Sequence, residues 1–75
     1  MNNKNIIKYY VLCDSETKIY AFDRRGMLRI ITNAPWILPY LFETRDDARI
    51  IALKNNGSVH MVINPRHRND RENNM

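Results

Sequence analysis

The chain has 75 residues and a net charge of +4, from twelve Lys and Arg against eight Asp and Glu. A domain of this size buries only about 60–65% of the surface its unfolded form exposes, and domains so small often rest on disulfides, metals or self-association. Cys13 is the single cysteine and the two histidines, His60 and His67, fall on different segments, which excludes an internal disulfide, offers no metal-ligand spacing and leaves a homodimer as the reinforcement still open.

Residues 1–7 read as a flexible lead-in. Lys8 to Cys13, KYYVLC, is the first predicted strand, since Tyr and Val suit a pleated, half-buried surface. Asp14-Ser15-Glu16-Thr17 is a polar turn and Lys18 to Asp23 the second strand. Apolar and polar residues then alternate on both sides of the Asp23-Arg24-Arg25-Gly26 bend, where Gly26 supplies the positive φ of a tight hairpin. Met27 to Thr32 is the third strand, and three strands on short turns make an antiparallel meander.

Asn33 to Phe42, NAPWILPYLF, follows. Pro35 and Pro39 forbid a regular central strand or a helix interior, yet six of the seven residues from Trp36 to Phe42 are apolar. Two readings stand: a loop that lids the open end of the core, or an exposed aromatic patch of the kind that anchors protein contacts. A short edge strand within the segment fits either.

The spacing predicts one helix over Glu43 to Asn56. Thr44 is a good N-cap with Asp47 three residues on, Asp46 and Asp47 suit the positive end of the macrodipole, and Lys54 lies in the last turn. Gly57 is placed to end the helix in a left-handed conformation. Ala48, Ile51, Ala52 and Asn55 share one face, whereas Ile50 and Leu53 lie on another, to be covered either by the Pro-rich segment or by another molecule. Ser58 to Ile63 reads as the last strand, with Val59, Met61 and Ile63 on one side and His60 and Val62 on the other. Pro65 stops it, and residues 64–75 form a tail too polar to fold. The expected fold is a single α+β domain over 8–63, a small antiparallel sheet in β-β-β-α-β order with one helix packed on a face.

Chemistry is sparse. Helix capping explains the only adjacent carboxylate pair, Asp46-Asp47, and two glycines, Gly26 and Gly57, make no phosphate-holding loop. Cys13 and His60 sit on strands that are able to meet across a sheet, which makes a Cys–His dyad geometrically conceivable. The plainer reading is a buried apolar thiol and a strand histidine facing solvent. An enzyme is therefore not expected, and neither is a cofactor or a metal. A lone thiol fits a reducing compartment, no run of about 18 apolar residues is present, and MNNKNIIKYY lacks the apolar core of a signal peptide. A cytoplasmic protein with no membrane partner is expected.

The base-rich hairpin is the place to seek a partner. Arg24, Arg25 and Arg29 are weakly opposed by acids other than Asp23, a balance that permits an anionic partner without demanding one. For nucleic acid, these arginines would grip phosphates, Tyr9, Tyr20 and Phe22 would stack on bases from a sheet face, and Arg66, Arg68 and Arg71 would add a flexible arm. For a protein partner, the same arginines would act with Trp36, Tyr40 and Leu53 as apolar anchors.

Tyr10-Val11, Tyr20 to Asp23, Gly26, Leu28-Arg29 and then Phe42, Thr44 and Ala48 form a string that resembles small proteins of bacteriophages and prophages: a YV-type strand, a Y-x-x-D-x-x-G-x-L-R hairpin, and F-x-T-x-x-x-A opening a helix. The long connection containing Pro35, Trp36 and Pro39 departs from that pattern. The resemblance implies the fold and a phage setting, hence a host cytoplasm, and carries over no catalytic residue. By analogy of setting, it implies a stoichiometric binding protein directed at a host protein or protein–nucleic-acid complex, such as a defence or nucleic-acid-processing machine. Direct nucleic-acid binding is the alternative.

Overall fold

The computed structural model describes residues 5–65. The expectations for residues 1–4 and for 66–75, including His67, Arg66, Arg68 and Arg71, lie outside the described residues. The elements follow in the expected order: β1 (Ile7–Cys13), β2 (Lys18–Phe22), β3 (Leu28–Thr32), α1 (Arg45–Lys54) and β4 (Gly57–Ile63). They form one antiparallel sheet in spatial order β3-β2-β1-β4 with one helix, a small α+β fold. No helix among the described residues is long and apolar enough to cross a membrane.

Period-two alternation sends the strand side chains to two faces. On one face Val11 and Cys13 of β1 are buried together with Phe42 and with Ala48 and Ala52 of α1, and Tyr9, Tyr20, Ile30, Ile51 and Val59 pack around them. The helix meets the sheet through alanines, whose small side chains let it lie close. On the other face Leu12, Ile19 and Ala21 are buried against Tyr10, Ile31 and Ile37. No helix covers that face. The Pro35 segment does so in part, leaving an apolar groove of about 750 Å³ between Tyr10, Leu12 and Val62 on the sheet and Ile37, Leu38 and Leu41 above it.

The sheet is not continuous between β1 and β2. Their register runs only through Leu12↔Ile19 and Cys13↔Lys18, and beyond it the strands splay. The chain after Pro39 fills the gap: Tyr9 and Phe42 exchange both backbone hydrogen bonds, and Tyr40 N–H donates to the Tyr20 carbonyl at 3.0 Å. The two open readings of this segment divide residue by residue. Phe42 is buried and Tyr40 half-buried, while Trp36 and Leu38 stand 79% and 69% exposed.

Thr44 caps α1 as expected, its hydroxyl accepting from Asp47 N–H at 3.2 Å. The other end is a correction. Asn56, not Gly57, takes the left-handed conformation, with φ +54°, and Asn55 closes the helix, its backbone N–H donating to Ala52 and its side-chain amide to the Ile51 carbonyl. Gly57 is already the first residue of β4. A Cβ there would lie 2.7 Å from the Leu12 carbonyl oxygen and 2.9 Å from Cys13 Sγ, so the glycine is needed for close approach of β4 to β1.

Between β1 and β2, Asp14, Ser15 and Glu16 have φ of +49°, +54° and +72°, three consecutive left-handed residues of which none is glycine. Such residues cost about 1–2 kcal/mol each. The loop is held by Thr17, which donates to the Asp14 carbonyl through both N–H and hydroxyl, and by Asn33, which donates to the Glu16 and Thr17 carbonyls.

Candidate interaction surface

The β2–β3 hairpin is organised by one carboxylate. Asp23 Oδ1 accepts from Arg25 N–H at 2.8 Å and Met27 N–H at 2.9 Å, while Gly26 N–H donates to the Asp23 carbonyl at 2.9 Å and Gly26 takes φ +83°. This is a type I turn closed by a left-handed glycine, the usual build of a three-residue hairpin loop. The bond from Met27 N–H does most to hold the Asp23 carboxyl below its ordinary pKa. A carboxylate held in its charged form at the bend then meets the last of the three arginines: Arg29 Nε lies 3.7 Å from Asp23 Oδ2.

Arg29 is thereby partly neutralised. Arg24 and Arg25 are exposed at the tip, and neither forms an ion pair among the described residues. Beside them Trp36 stands exposed on the turn closed by Ile37 N–H and the Ala34 carbonyl. Arg24 and Trp36 line one hollow of about 300 Å³, whose floor and walls include Phe22, Ile31, Ala34 and Ile37. Two residues separated by the whole of β3 thus border one hollow, which brings the cationic tip and exposed aromatic surface to the same side of the molecule.

The other two expected anchors lie elsewhere. Tyr40 is half-buried and packs edge-on against Tyr20, Phe22 and Phe42, with ring centroids 5.9, 5.8 and 4.9 Å away. Its contacts make it a core residue that borders the surface. Leu53 is 75% exposed on α1, over β4, and shares a hollow with Arg45 and Arg49 rather than with the hairpin. Phe22 and Ile31, which the sequence places within strand alternation, are the additional contributors to the tip hollow. Phe22, at the last position of β2, is 55% exposed although its strand is otherwise mostly covered.

Among the described residues, the three aromatics expected to stack on bases do not form one open face. Tyr9, Tyr20 and Phe22 share the helix-side face, but Tyr20 is stacked under Phe42 at 5.6 Å and Tyr9 packs into the same cluster. Cys13 and His60 do not approach as a dyad. Cys13 pairs with Gly57 and is buried on the helix side, whereas His60 pairs with Tyr10 on the opposite face, where the two rings stack at 5.3 Å and His60 Nε2 lies 2.9 Å from Ser58 Oγ. Burial, aided by the neighbouring Asp14 charge, pushes the Cys13 thiol pKa up, away from the nucleophilic thiolate. Comparison with protein-family models, curated proteins and solved structures finds no match for this chain.

Proposed function

We propose that this chain is a stoichiometric, non-enzymatic binding protein of the phage-encoded kind, acting in the host cytoplasm on a host protein or protein–nucleic-acid complex, with the hairpin tip as its contact. One observation carries the reading: Arg24 and Trp36 line the same hollow, with Arg24 and Arg25 unpaired among the described residues. Arg and Trp are the side chains most often responsible for binding energy at protein interfaces, because each joins large contact area to a directional polar group. The turn's hydrogen bonds fix the backbone beneath the arginines, so binding has to order their side chains but not the loop that carries them. The complementary partner surface is acidic around an apolar recess able to take the indole. Occupation of the Tyr20 face by Tyr40 and Phe42 favours a protein contact over stacking on bases.

The test is a pull-down from a bacterial lysate with wild type, Arg24→Glu/Arg25→Glu and Trp36→Ala. Loss of a specific partner in both variants is the expected result, and equal recovery of every partner by all three proteins would sink the reading. A shift assay on single- and double-stranded DNA and RNA runs beside it. Tight binding there, weakening steeply with salt, would hand the tip to direct nucleic-acid recognition instead.

A further inference from the structure

β4 is an outer strand of the sheet, since among the described residues only β1 pairs with it. Natural edge strands are guarded by charge, proline, a bulge or a covering segment. Gly57–Ile63, GSVHMVI, carries no Lys, Arg, Asp, Glu or Pro, and its pairing with β1 runs from Gly57 to Ile63 without a bulge. The register also fixes which backbone groups face outward. Asn64 N–H donates to the Ile6 carbonyl at 2.6 Å and Asp14 N–H to the Asn56 carbonyl at 3.3 Å, so the even-numbered residues between them fall in the hydrogen-bonded pairs of the ladder. By antiparallel alternation, Val59, Met61 and Ile63 turn their N–H and C=O groups to the open edge. Met61 and Ile63 are 58% and 50% exposed.

Above this edge the shoulder of α1 forms a wall. Arg45, Arg49 and Leu53, spaced one turn apart, border a hollow of about 550 Å³ with Ala52, Gly57 and Val59. Neither arginine forms an ion pair among the described residues, although Asp46 and Asp47 are near in sequence. An open backbone edge that continues through Met61 and Ile63 from a hollow holding two guanidiniums, unpaired among the described residues, defines an occupant. We propose that β4 and α1 form a strand-addition groove for an extended segment of a partner protein carrying acidic side chains at alternate positions, a surface distinct in its residues from the hairpin tip.

The spacing fits this occupant. One helical turn separates Arg45 from Arg49 by about 6 Å, and alternate residues of a strand, which share a face, are about 6.6 Å apart. Backbone hydrogen bonds to Val59 and Met61 would supply affinity, and the arginines would select for acids, the division of labour seen when peptides add to sheet edges. Charge also selects against a second copy of this chain. Antiparallel β4–β4 pairing about a two-fold axis would set the two α1 shoulders facing each other, arginine toward arginine, and β4 itself brings no acid to offset them.

The test titrates the full chain with a short capped peptide of alternating Glu and Val, followed by amide shifts. The largest shifts are expected at Val59, Met61 and Ile63 and at Arg45 and Arg49. Replacing Glu by Lys in the peptide, or N-methylating its alternate amides, should weaken binding by about tenfold or more. Arg45→Glu/Arg49→Glu, which lies on the exposed helix surface and so preserves the fold, should invert the preference toward the Lys peptide, while Arg24→Glu/Arg25→Glu leaves it unchanged. Four results would overturn the proposal. They are shifts centred on Arg24, Arg25 and Trp36, equal affinity in Arg45→Glu/Arg49→Glu, sedimentation as a dimer with the outward amides of Val59, Met61 and Ile63 already exchange-protected, or the same protection of those three amides in the free monomer, which would give the groove to the chain's own tail.

Discussion

Tyr9 and Phe42 exchange both backbone hydrogen bonds, Tyr9 N–H to the Phe42 carbonyl at 3.0 Å and Phe42 N–H to the Tyr9 carbonyl at 2.7 Å. Tyr9 also faces Met61 across the β1–β4 ladder. Its outward backbone groups would meet β2 if the two strands stayed together, and a residue from the Pro-rich connection meets them instead. The connection therefore completes the sheet, and its aromatic residues become core at one end and surface at the other.

That division predicts opposite outcomes for two aromatic truncations. Phe42 is 9% exposed, stacked on Tyr20 and edge-on to Tyr40, so Phe42→Ala should cost about 3–5 kcal/mol, enough to unfold much of so small a domain. Trp36→Ala, at 79% exposure, should change stability by no more than about 0.5 kcal/mol. Chemical denaturation of both variants decides it. A Trp36→Ala loss as large as that of Phe42→Ala would mean that Trp36 is core.

Residues 56 and 57 should respond in opposite directions to a single Cβ. Gly57→Ala places a methyl against the Leu12 carbonyl and Cys13 Sγ, a backbone clash that neither strand relieves without moving, and should cost about 2 kcal/mol or more. Asn56→Gly removes a side chain from a left-handed residue and should be neutral or stabilising by up to about 1 kcal/mol. Thermal melts of the two variants provide the comparison, and a stabilised Gly57→Ala would contradict the assigned role of the glycine.

What the sequence discloses here is what neighbours along the chain determine. The hairpin about Gly26 follows from alternation plus one residue able to take positive φ, and the Thr44 cap follows from a hydroxyl three residues before Asp47. The sequence alone favours Gly57 over Asn56 for the left-handed position, since glycine takes that backbone most freely, and only the approach of β1, more than forty positions away, gives the glycine its other use. The Tyr9–Phe42 bridge has no local signal at all. The tip hollow is half legible: the arginines and Trp36 stand out as residue types, but that Arg24 and Trp36 share one hollow depends on how the connection turns at Ala34. Arg45 and Arg49 read as ordinary solvated helix charges, and only the strand order makes them the wall of a groove.

Cys13 should behave as an inert thiol. It is 1% exposed, and burial with the adjacent Asp14 charge raises its pKa above the ordinary 9.0, which leaves little thiolate at neutral pH. A chromogenic disulfide reagent should label the native protein slowly and reach the rate of free cysteine once denaturant unfolds the sheet. Rapid stoichiometric labelling of the native chain would contradict both the burial and the shift.

Asp23 links stability to acid. Its folded pKa is held below the ordinary 3.8, chiefly by the Met27 N–H bond, with further help from the Arg25 N–H and the Arg29 charge and against the opposing effect of desolvation. The unfolded chain therefore takes up this proton more readily than the native one. The carboxylate's contribution is fully present above pH 3.8 and is lost as pH falls through the lower folded value. Asp23→Asn keeps a side-chain oxygen to accept the two turn N–H bonds but removes the titration. Denaturation midpoints should place the variant below wild type at neutral pH, and the gap should close as pH drops well below 3.8, because wild type loses in acid what the variant lacks throughout. Parallel curves over the whole range would show that the charge on Asp23 adds nothing to the turn, leaving its hydrogen-bond geometry alone to hold Arg24 and Arg25 in place.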